Sequence, residues 1–184
     1  MKFRMIAFVF ITFIIFTVFM LGLLFSSGYI FNQTKISYTA CNEGAVTSVF
    51  SPIDSEVIFD LIGNATHEIK LEVYEFSYRN LADALIDAKD RGISVKVILE
   101  QSVYQNSNTF NYLLNKGIDV NWALKKFHNT HSKFMIIDDS IVFVGSLNWS
   151  VNALKYNREA SVIIYSKETA SEFERIFDAD FNSQ

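Results

Sequence analysis

Two pairs of polar residues stand at matched spacing in the segment 131–148. His131 and Lys133 open one apolar run, and Ser146 and Asn148 follow a second one. Successive side chains of a β-strand alternate between its faces, so the members of each pair share a face. An imidazole, an ammonium, a hydroxyl and an amide that converge at the end of a hairpin could bind and attack a phosphate group. The alternative for each residue alone is an ordinary surface position.

The spacing is more specific than the residue types. The pattern reads His131-x-Lys133-x4-Asp138-x6-Gly145-Ser146-x-Asn148. It resembles, at every defining position, the HKD motif of the phospholipase D superfamily. "LEVYEFSYRNLADALIDAKDRGISVKVILE" before the motif and "NREASVII" after it are similar to the corresponding family segments. The resemblance therefore covers about residues 45–184, and it is strongest to the small single-motif branch of Nuc-type endonucleases and mitochondrial cardiolipin hydrolases.

The resemblance implies a two-step reaction through a covalent phosphohistidine. One histidine attacks phosphorus, and a second histidine protonates the leaving oxygen and then activates water. This chain has one such motif, because "HEIK" at His67 to Lys70 has the wrong spacing. We therefore expect a homodimer in which two chains share one active site.

The resemblance also assigns roles within each subunit. Each subunit is expected to contribute His131, Lys133, Ser146 and Asn148. Lys133 and Asn148 would hold the nonbridging phosphate oxygens where negative charge develops. Glu159, in the segment after the motif, is the candidate that orients His131, with a solvated glutamate as the alternative. Asp138 belongs to the motif, but it lies in the predicted hairpin turn, where aspartate bonds the backbone, so we expect a mainly structural role.

No metal or other cofactor is expected. His128 and His131 could begin a zinc site, but no third ligand stands at a useful spacing and Cys41 is remote in the sequence. Cations that flank the motif are expected to form a basic rim that binds substrate. These residues are Lys125, Lys126 and Arg158, with Lys155 beside them.

Residues 1–31 differ in composition from the rest of the chain. Lys2 and Arg4 precede an uncharged run over residues 5–25, long enough for a spanning helix, which needs about 20 residues. We expect one N-terminal transmembrane helix, with a cleaved signal sequence as the alternative, because the small residues 26–28 could form a cleavage site. The positive-inside rule then places a single-pass protein with its catalytic domain outside the cytoplasm, or a secreted domain if the segment is cleaved.

The remainder divides into a linker, residues 32–44, and one catalytic domain, residues 45–184. Strand and helix patterns alternate from "AVTSVFS" to the closing "KETASEFERIFDADF", with a hairpin at "FMII", "DDS" and "IVFVG". These patterns predict an α/β fold with a mixed sheet. The resemblance implies the phospholipase D-like α/β/α sandwich, with helices on both faces of the sheet.

The motif identifies a phosphodiester and leaves the rest of the substrate open. Of the 16 basic residues, 14 remain without Lys2 and Arg4, against 20 acidic residues, a net charge of −6. This charge and the membrane segment favour a phospholipid substrate, with a non-specific endonuclease acting on DNA or RNA as the alternative. A third alternative is an inactive, membrane-tethered binding module.

Overall fold

The computed structural model describes residues 44–183. The predicted membrane segment and all but the last residue of the predicted linker therefore lie outside the described residues. Within residues 44–183, no helix has both the length and the apolar character needed to cross a membrane.

Seven strands form one mixed sheet. In chain order they are β1 (Ala45–Phe50), β2 (Glu68–Val73), β3 (Ser94–Leu99), β4 (Asp119–Trp122), β5 (Lys133–Ile137), β6 (Ile141–Gly145) and β7 (Ala160–Tyr165). Their order across the sheet is β1-β7-β6-β5-β2-β3-β4. The β2, β3 and β4 strands are parallel, and every other neighbouring pair is antiparallel.

Five helices accompany the sheet. They are α1 (Val57–Asn64), α2 (Arg79–Asp90), α3 (Asn106–Asn115), α4 (Val151–Lys155) and α5 (Lys167–Phe181). The short α4 follows the motif directly and was not predicted from the sequence. Ser150 caps it, because the Ser150 hydroxyl accepts a hydrogen bond from the Ala153 amide at 3.3 Å.

The closing helix α5 covers one face of the sheet. Ala170 and Phe177 of α5 pack in one buried cluster with Phe134, Ile136 and Val142. Strand side chains that point the other way are also buried, including Leu71, Val97, Met135, Phe143 and Ile163. Helix α2 contacts both α1 and α3, and α2 and α3 pack on β3 and β4, respectively. The predicted mixed α/β architecture is confirmed.

Aspartate is a residue type that commonly caps a helix, and Asp54 stands just before α1, but α1 begins only at Val57. The Asp54 carboxylate instead accepts a hydrogen bond from the Phe50 amide at 3.0 Å. This bond closes a turn that lets β1 end at Phe50 and the chain reverse, so the aspartate acts in a turn rather than as a helix cap.

Candidate active site

The predicted catalytic pair lies at one end of the sheet. Lys133 is the first residue of β5 and pairs with Val73, the last residue of β2. The carbonyl of Ser132 accepts a hydrogen bond from the Tyr74 amide at 3.0 Å, which continues this pairing past the strand end. His131 follows at this end of the sheet, and its ring packs on Tyr74, a residue that the sequence did not single out.

His131, Lys133 and Tyr74 form a compact group. The Lys133 Nζ atom lies 3.2 Å from His131 Nδ1, 3.5 Å from His131 Nε2 and 2.7 Å from the His131 carbonyl oxygen. The imidazole packs on the Tyr74 ring with centroids 4.3 Å apart, and Lys133 Nζ lies 5.1 Å from the centre of that ring. A phosphate oxygen bound by Lys133 would therefore lie within reach of the imidazole.

The Lys133 ammonium is buried, with only 7% of the residue exposed. Burial lowers the pKa of Lys133, while the negative charges of Glu159 and Glu75 act in the opposite direction. In a poorly solvated site the ammonium interacts more strongly with an anion than it would in water. This arrangement suits a group that must hold a phosphate without its own shell of water.

Gly145 lets the other half of the motif approach the neighbouring strand. It pairs with Ser161 of β7, and a Cβ at this position would lie 2.2 Å from Ser161 Oγ and 2.4 Å from the Ala160 carbonyl oxygen. No larger residue fits there without moving β7. The glycine thus brings Ser146 close to β7, and the Ser146 hydroxyl accepts a hydrogen bond from the Ala160 amide at 3.1 Å.

The predicted residue Glu159 joins Ser146 rather than standing free in solvent. Its Oε2 accepts a hydrogen bond from the Ser146 hydroxyl at 2.6 Å, and its Oε1 accepts one from Asn157 Nδ2 at 3.1 Å. The Ser51 hydroxyl accepts a bond from the Glu159 amide and donates one to the Asn157 carbonyl. These contacts fix the carboxylate, and its proposed orientation of His131 stays a prediction.

Asn148 occupies the last position of the motif and has a hydrogen-bonding atom without a partner among the described residues. Its Oδ1 is buried and has no hydrogen-bond partner among residues 44–183. The next residue, Trp149, is 1% exposed and packs edge-on against Phe76 with centroids 4.9 Å apart. The Trp149 amide also donates to the Glu75 carbonyl at 2.9 Å. This anchoring gives Asn148 a fixed place next to the end of β2.

Asp138 lies at the opposite end of β5 from His131. Its carboxylate accepts four hydrogen bonds, from the amides of Thr66, His67 and Glu68 and from the Thr66 hydroxyl, at 2.8 to 3.1 Å. Burial acts to raise the pKa of Asp138, but these hydrogen bonds outweigh it and lower the pKa. Asp138 and Asp139 both have positive φ, at 51° and 52°, which the hairpin turn requires.

Replacing Asp138 with alanine is expected to destabilise the fold by about 2 kcal/mol or more, because several backbone donors lose their acceptor. A carboxyl group whose pKa is lowered in the folded state stabilises the fold at pH values above its ordinary pKa of 3.8. This contribution is lost as the pH falls toward the lowered pKa. The difference in unfolding free energy between wild type and Asp138→Ala should therefore shrink in acid, as measured by denaturant unfolding from pH 7 to pH 3. Folded Asp138→Ala should keep most of its activity. A catalytic defect with normal stability would instead place Asp138 in the reaction.

The predicted basic rim divides into two parts. Arg158 is exposed and directly precedes Glu159. Lys126 lies 3.4 Å from Asp180 at the end of α5. Lys125 lines a cavity of about 320 Å³ together with Glu100 and His128. Of the three predicted substrate-binding residues, Arg158 is adjacent in sequence to a residue of the site network, and the two lysines lie in the loop that leads to His131.

One group of possible metal ligands occurs within residues 44–183, and it lies away from His131. Glu68, Asp139 and Glu174 offer ligand atoms within 4.8 Å of one another. The Lys70 ammonium lies 3.0 Å from Glu68 and 3.3 Å from Glu174, so a cation already contacts two of these three carboxylates. His128 and His131 belong to no such group among the described residues.

Several site residues were missed by the sequence analysis. Tyr74 and Glu75 follow β2, and Ser51 and Asn157 support Glu159. Their positions depend on the pairing of β5 with β2 and of β1 with β7, which no local pattern reveals. The available signal for Tyr74 and Glu75 was their place near the carboxyl end of the predicted strand "EIKLEVYEF", because functional side chains of α/β proteins often occur at that end of a strand.

Known proteins are similar to this chain in sequence. Residues 58–181 match the family described as "Cardiolipin synthase, PLD-like domain". A phospholipase D of Rickettsia bellii is 31% identical over 171 residues, which cover 83% of this chain and 84% of that protein. The mitochondrial cardiolipin hydrolase of Xenopus tropicalis is 32% identical over 122 residues, which cover 64% of this chain and 58% of that protein.

Solved structures agree with these matches. The phospholipase D family member Nuc from Salmonella typhimurium superposes with a TM-score of 0.71 at 27% identity, over 76% of this chain and 95% of Nuc. NucT from Helicobacter pylori gives a TM-score of 0.67 at 26% identity, over 77% of this chain and 98% of NucT. The chain therefore belongs to the phospholipase D-like family and is a phosphodiesterase of the hydrolase type.

Proposed function

We propose that the protein is a membrane-anchored phosphodiesterase that hydrolyses phospholipids through a covalent phosphohistidine on His131. The observation that carries this proposal is the contact between the buried Lys133 ammonium and the His131 imidazole, 3.2 Å apart. This pair offers a cation for the phosphate and a nucleophile for phosphorus at one point of the fold.

In the first step the imidazole nitrogen of His131 forms a bond to phosphorus, and the bond from phosphorus to the leaving alcohol oxygen breaks. The leaving oxygen takes a proton from a second imidazole, which we assign to His131 of the partner subunit. Lys133 and Asn148 stabilise the charge on the nonbridging oxygens. In the second step that imidazole takes a proton from water, the water oxygen bonds to phosphorus, and the bond to His131 breaks.

This sequence of steps needs two imidazoles, and a single chain supplies one at the site. His67 lies with Asp138 and Asp139, at the opposite end of β5. His128 lies in the cavity formed with Glu100 and Lys125. We therefore propose a homodimer with its active site on the two-fold axis, to which each subunit contributes one motif.

Exposed apolar residues next to the site favour a lipid substrate. Ile53 and Tyr156 are each 75% exposed, and Phe50 and Val151 are 42% and 40% exposed. They lie in the segments that carry Ser51, Asn157 and the start of α4, so they are close in sequence to residues that support Glu159 or follow the motif. Apolar and aromatic side chains flanked by cations are typical of surfaces that enter the interface of an anionic membrane.

The proposed location follows from the N-terminal segment. A transmembrane helix over residues 1–31 would hold the domain at a bilayer with the catalytic part outside the cytoplasm, or the domain would be secreted if the segment is cleaved. The mitochondrial cardiolipin hydrolases among the relatives are named for a lipid, cardiolipin.

A nuclease is the second candidate, and the similarity to Nuc and NucT favours it. The chemistry at phosphorus is the same for both substrates. The experiment that separates them incubates the protein, in chelator, with labelled phospholipid vesicles and, in parallel, with DNA and RNA. Hydrolysis of lipid at the higher kcat/KM supports the proposal, and faster cleavage of nucleic acid assigns the nuclease instead. If the protein hydrolyses neither substrate, the inactive binding module is the remaining candidate.

Replacing Ile53 and Tyr156 together with serine is expected to weaken binding to anionic vesicles by about thirtyfold, because each apolar side chain loses roughly 1 kcal/mol of burial in the interface. Cosedimentation of a protein lacking residues 1–31 with phosphatidylglycerol vesicles measures this. Leu114→Ser is the matched control, because Leu114 is 53% exposed on α3 and has no part in this surface. Equal vesicle binding by all three proteins would contradict the membrane-facing orientation.

A further inference from the structure

Tyr74 lies against both members of the catalytic pair, and the proposed reaction steps do not use it. Its ring centroid lies 4.3 Å from that of the His131 imidazole, and the Lys133 Nζ atom lies over the ring, 5.1 Å from its centroid. The face of an aromatic ring carries partial negative charge, and a cation within about 6 Å of the ring centre is attracted to it. The two groups that act on the phosphate therefore contact one aromatic side chain.

Hydrogen bonds fix the backbone of Tyr74 through both its amide and its carbonyl. The Tyr74 amide donates to the Ser132 carbonyl at 3.0 Å, and the Tyr74 carbonyl accepts a bond from Asn106 Nδ2 at 2.8 Å. Asn106 is fully buried, donates a second bond to the Glu100 carbonyl and accepts one from the Phe76 amide, both at 2.8 Å. A buried amide group whose hydrogen bonds are all made is rigid. The backbone that carries the ring is thus held at a fixed position beside the catalytic pair.

The Tyr74 ring favours the positive charge of Lys133 in a site whose burial disfavours it. Burial lowers the pKa of the Lys133 ammonium, whereas the negative charges of Glu159 and Glu75 act to raise it. A protonated His131, whose Nδ1 atom lies 3.2 Å from Lys133 Nζ, would repel the ammonium. A further carboxylate in place of the ring would compete with the phosphate for the cation. A ring face attracts the cation without such competition, because the ring carries no net charge.

We propose that Tyr74 is a positioning residue for the reaction, whose ring face binds the Lys133 ammonium and holds it together with the His131 imidazole against the phosphate. The inference rests on the proposed function, because that function assigns the phosphate to Lys133 and the nucleophile to His131. Negative charge develops on the nonbridging oxygens during the attack, so a poorly held cation costs more in the transition state than in the bound substrate. Loss of the ring face should therefore lower the rate at saturation more than it raises the half-saturating substrate concentration.

Fluorinated phenylalanines at position 74 test the ring face with little change in the shape of the side chain. In single turnovers with enzyme in excess, p-nitrophenol release from bis(p-nitrophenyl) phosphate reports the first step. Tyr74→Phe keeps the ring face and should react at about the wild-type rate. Phenylalanines with one, two and three ring fluorines carry a progressively weaker negative face, so the saturating rate should fall at each step, to about one tenth with three fluorines. Tyr74→Leu, which has no ring, should lose at least about tenfold.

The same series at Tyr112 is the matched control, because the Tyr112 ring faces the Arg79 guanidinium, 3.1 Å from its centroid, rather than Lys133. It should leave the rate unchanged. Equal rates across the fluorine series at position 74, or an equal fall at both positions, would overturn the role of the ring face. A loss in Tyr74→Phe as large as that in Tyr74→Leu would overturn it too, because the hydroxyl would then be the group that acts. A wild type that forms no histidine adduct removes the proposed function, and the inference falls with it.

Discussion

The His131→Ala variant is expected to lose at least about 10³-fold in kcat/KM and to form no covalent intermediate. His131 supplies the atom that bonds to phosphorus, and its neighbours cannot replace it. The Lys133 ammonium has no lone pair while it is protonated. The Ser146 hydroxyl is held in place by the hydrogen bond that it donates to Glu159 at 2.6 Å. The loss should therefore exceed that of any variant that only weakens phosphate binding.

Direct detection of the covalent intermediate is the more specific test. Wild type is mixed with a labelled phosphodiester, quenched within milliseconds without acid, and digested, because a phosphorus bond to imidazole nitrogen is lost in acid. The label should appear on the peptide that carries His131. Lys133→Ala should form the same adduct more slowly, by about 10²-fold, because less charge is stabilised in the transition state.

His128→Ala is the matched control, because His128 is exposed and precedes His131 by only three residues. It should keep the adduct and most of the activity. With a phospholipid substrate, a short alcohol should compete with water for the intermediate and give a phosphatidyl alcohol. Full turnover with no histidine adduct at any quench time, and with no alcohol product, would show that water attacks phosphorus directly.

The motif was readable from the sequence because its geometry is local. His131 and Lys133 lie on one strand, Ser146 and Asn148 follow the next, and the turn between these strands needs only the residues around Asp138. Period-2 alternation and turn composition describe such a hairpin fully. Residues that come from distant segments, such as Tyr74, became visible only through the pairing of β2 with β5.

Glu72 shows why alternation alone was insufficient. In "EIKLEVYEF" the polar residues Lys70 and Glu72 alternate with apolar ones, a pattern typical of a strand with one face in solvent. The structure covers that face with α5, so both residues are buried, at 6% and 4% exposure. Lys70 finds acidic partners in Glu174 and Asp178 of α5, whereas Glu72 keeps an unpartnered oxygen. The face of the sheet that a C-terminal helix such as α5 covers depends on the tertiary fold.

Activity should require two subunits, each with an intact His131. The first imidazole is bonded to phosphorus when the leaving oxygen needs its proton, so the same ring cannot supply that proton. A dimer that pairs wild type with His131→Ala has one imidazole at the shared site. It should show the loss of the variant itself, about 10³-fold or more, although half of its subunits are intact.

Mixing the two proteins in different ratios tests this requirement through the dependence of activity on the wild-type fraction. When subunits exchange freely, the fraction of dimers with two imidazoles is the square of the wild-type fraction, so an equal mixture should keep about one quarter of the activity. Native mass spectrometry of differently tagged chains verifies the exchange, and wild type mixed with His128→Ala controls for the mixing itself. A linear decline, to one half in an equal mixture with complete exchange, would mean that each subunit works alone. A single imidazole would then have to act as both nucleophile and proton donor, and the two-fold site would be wrong.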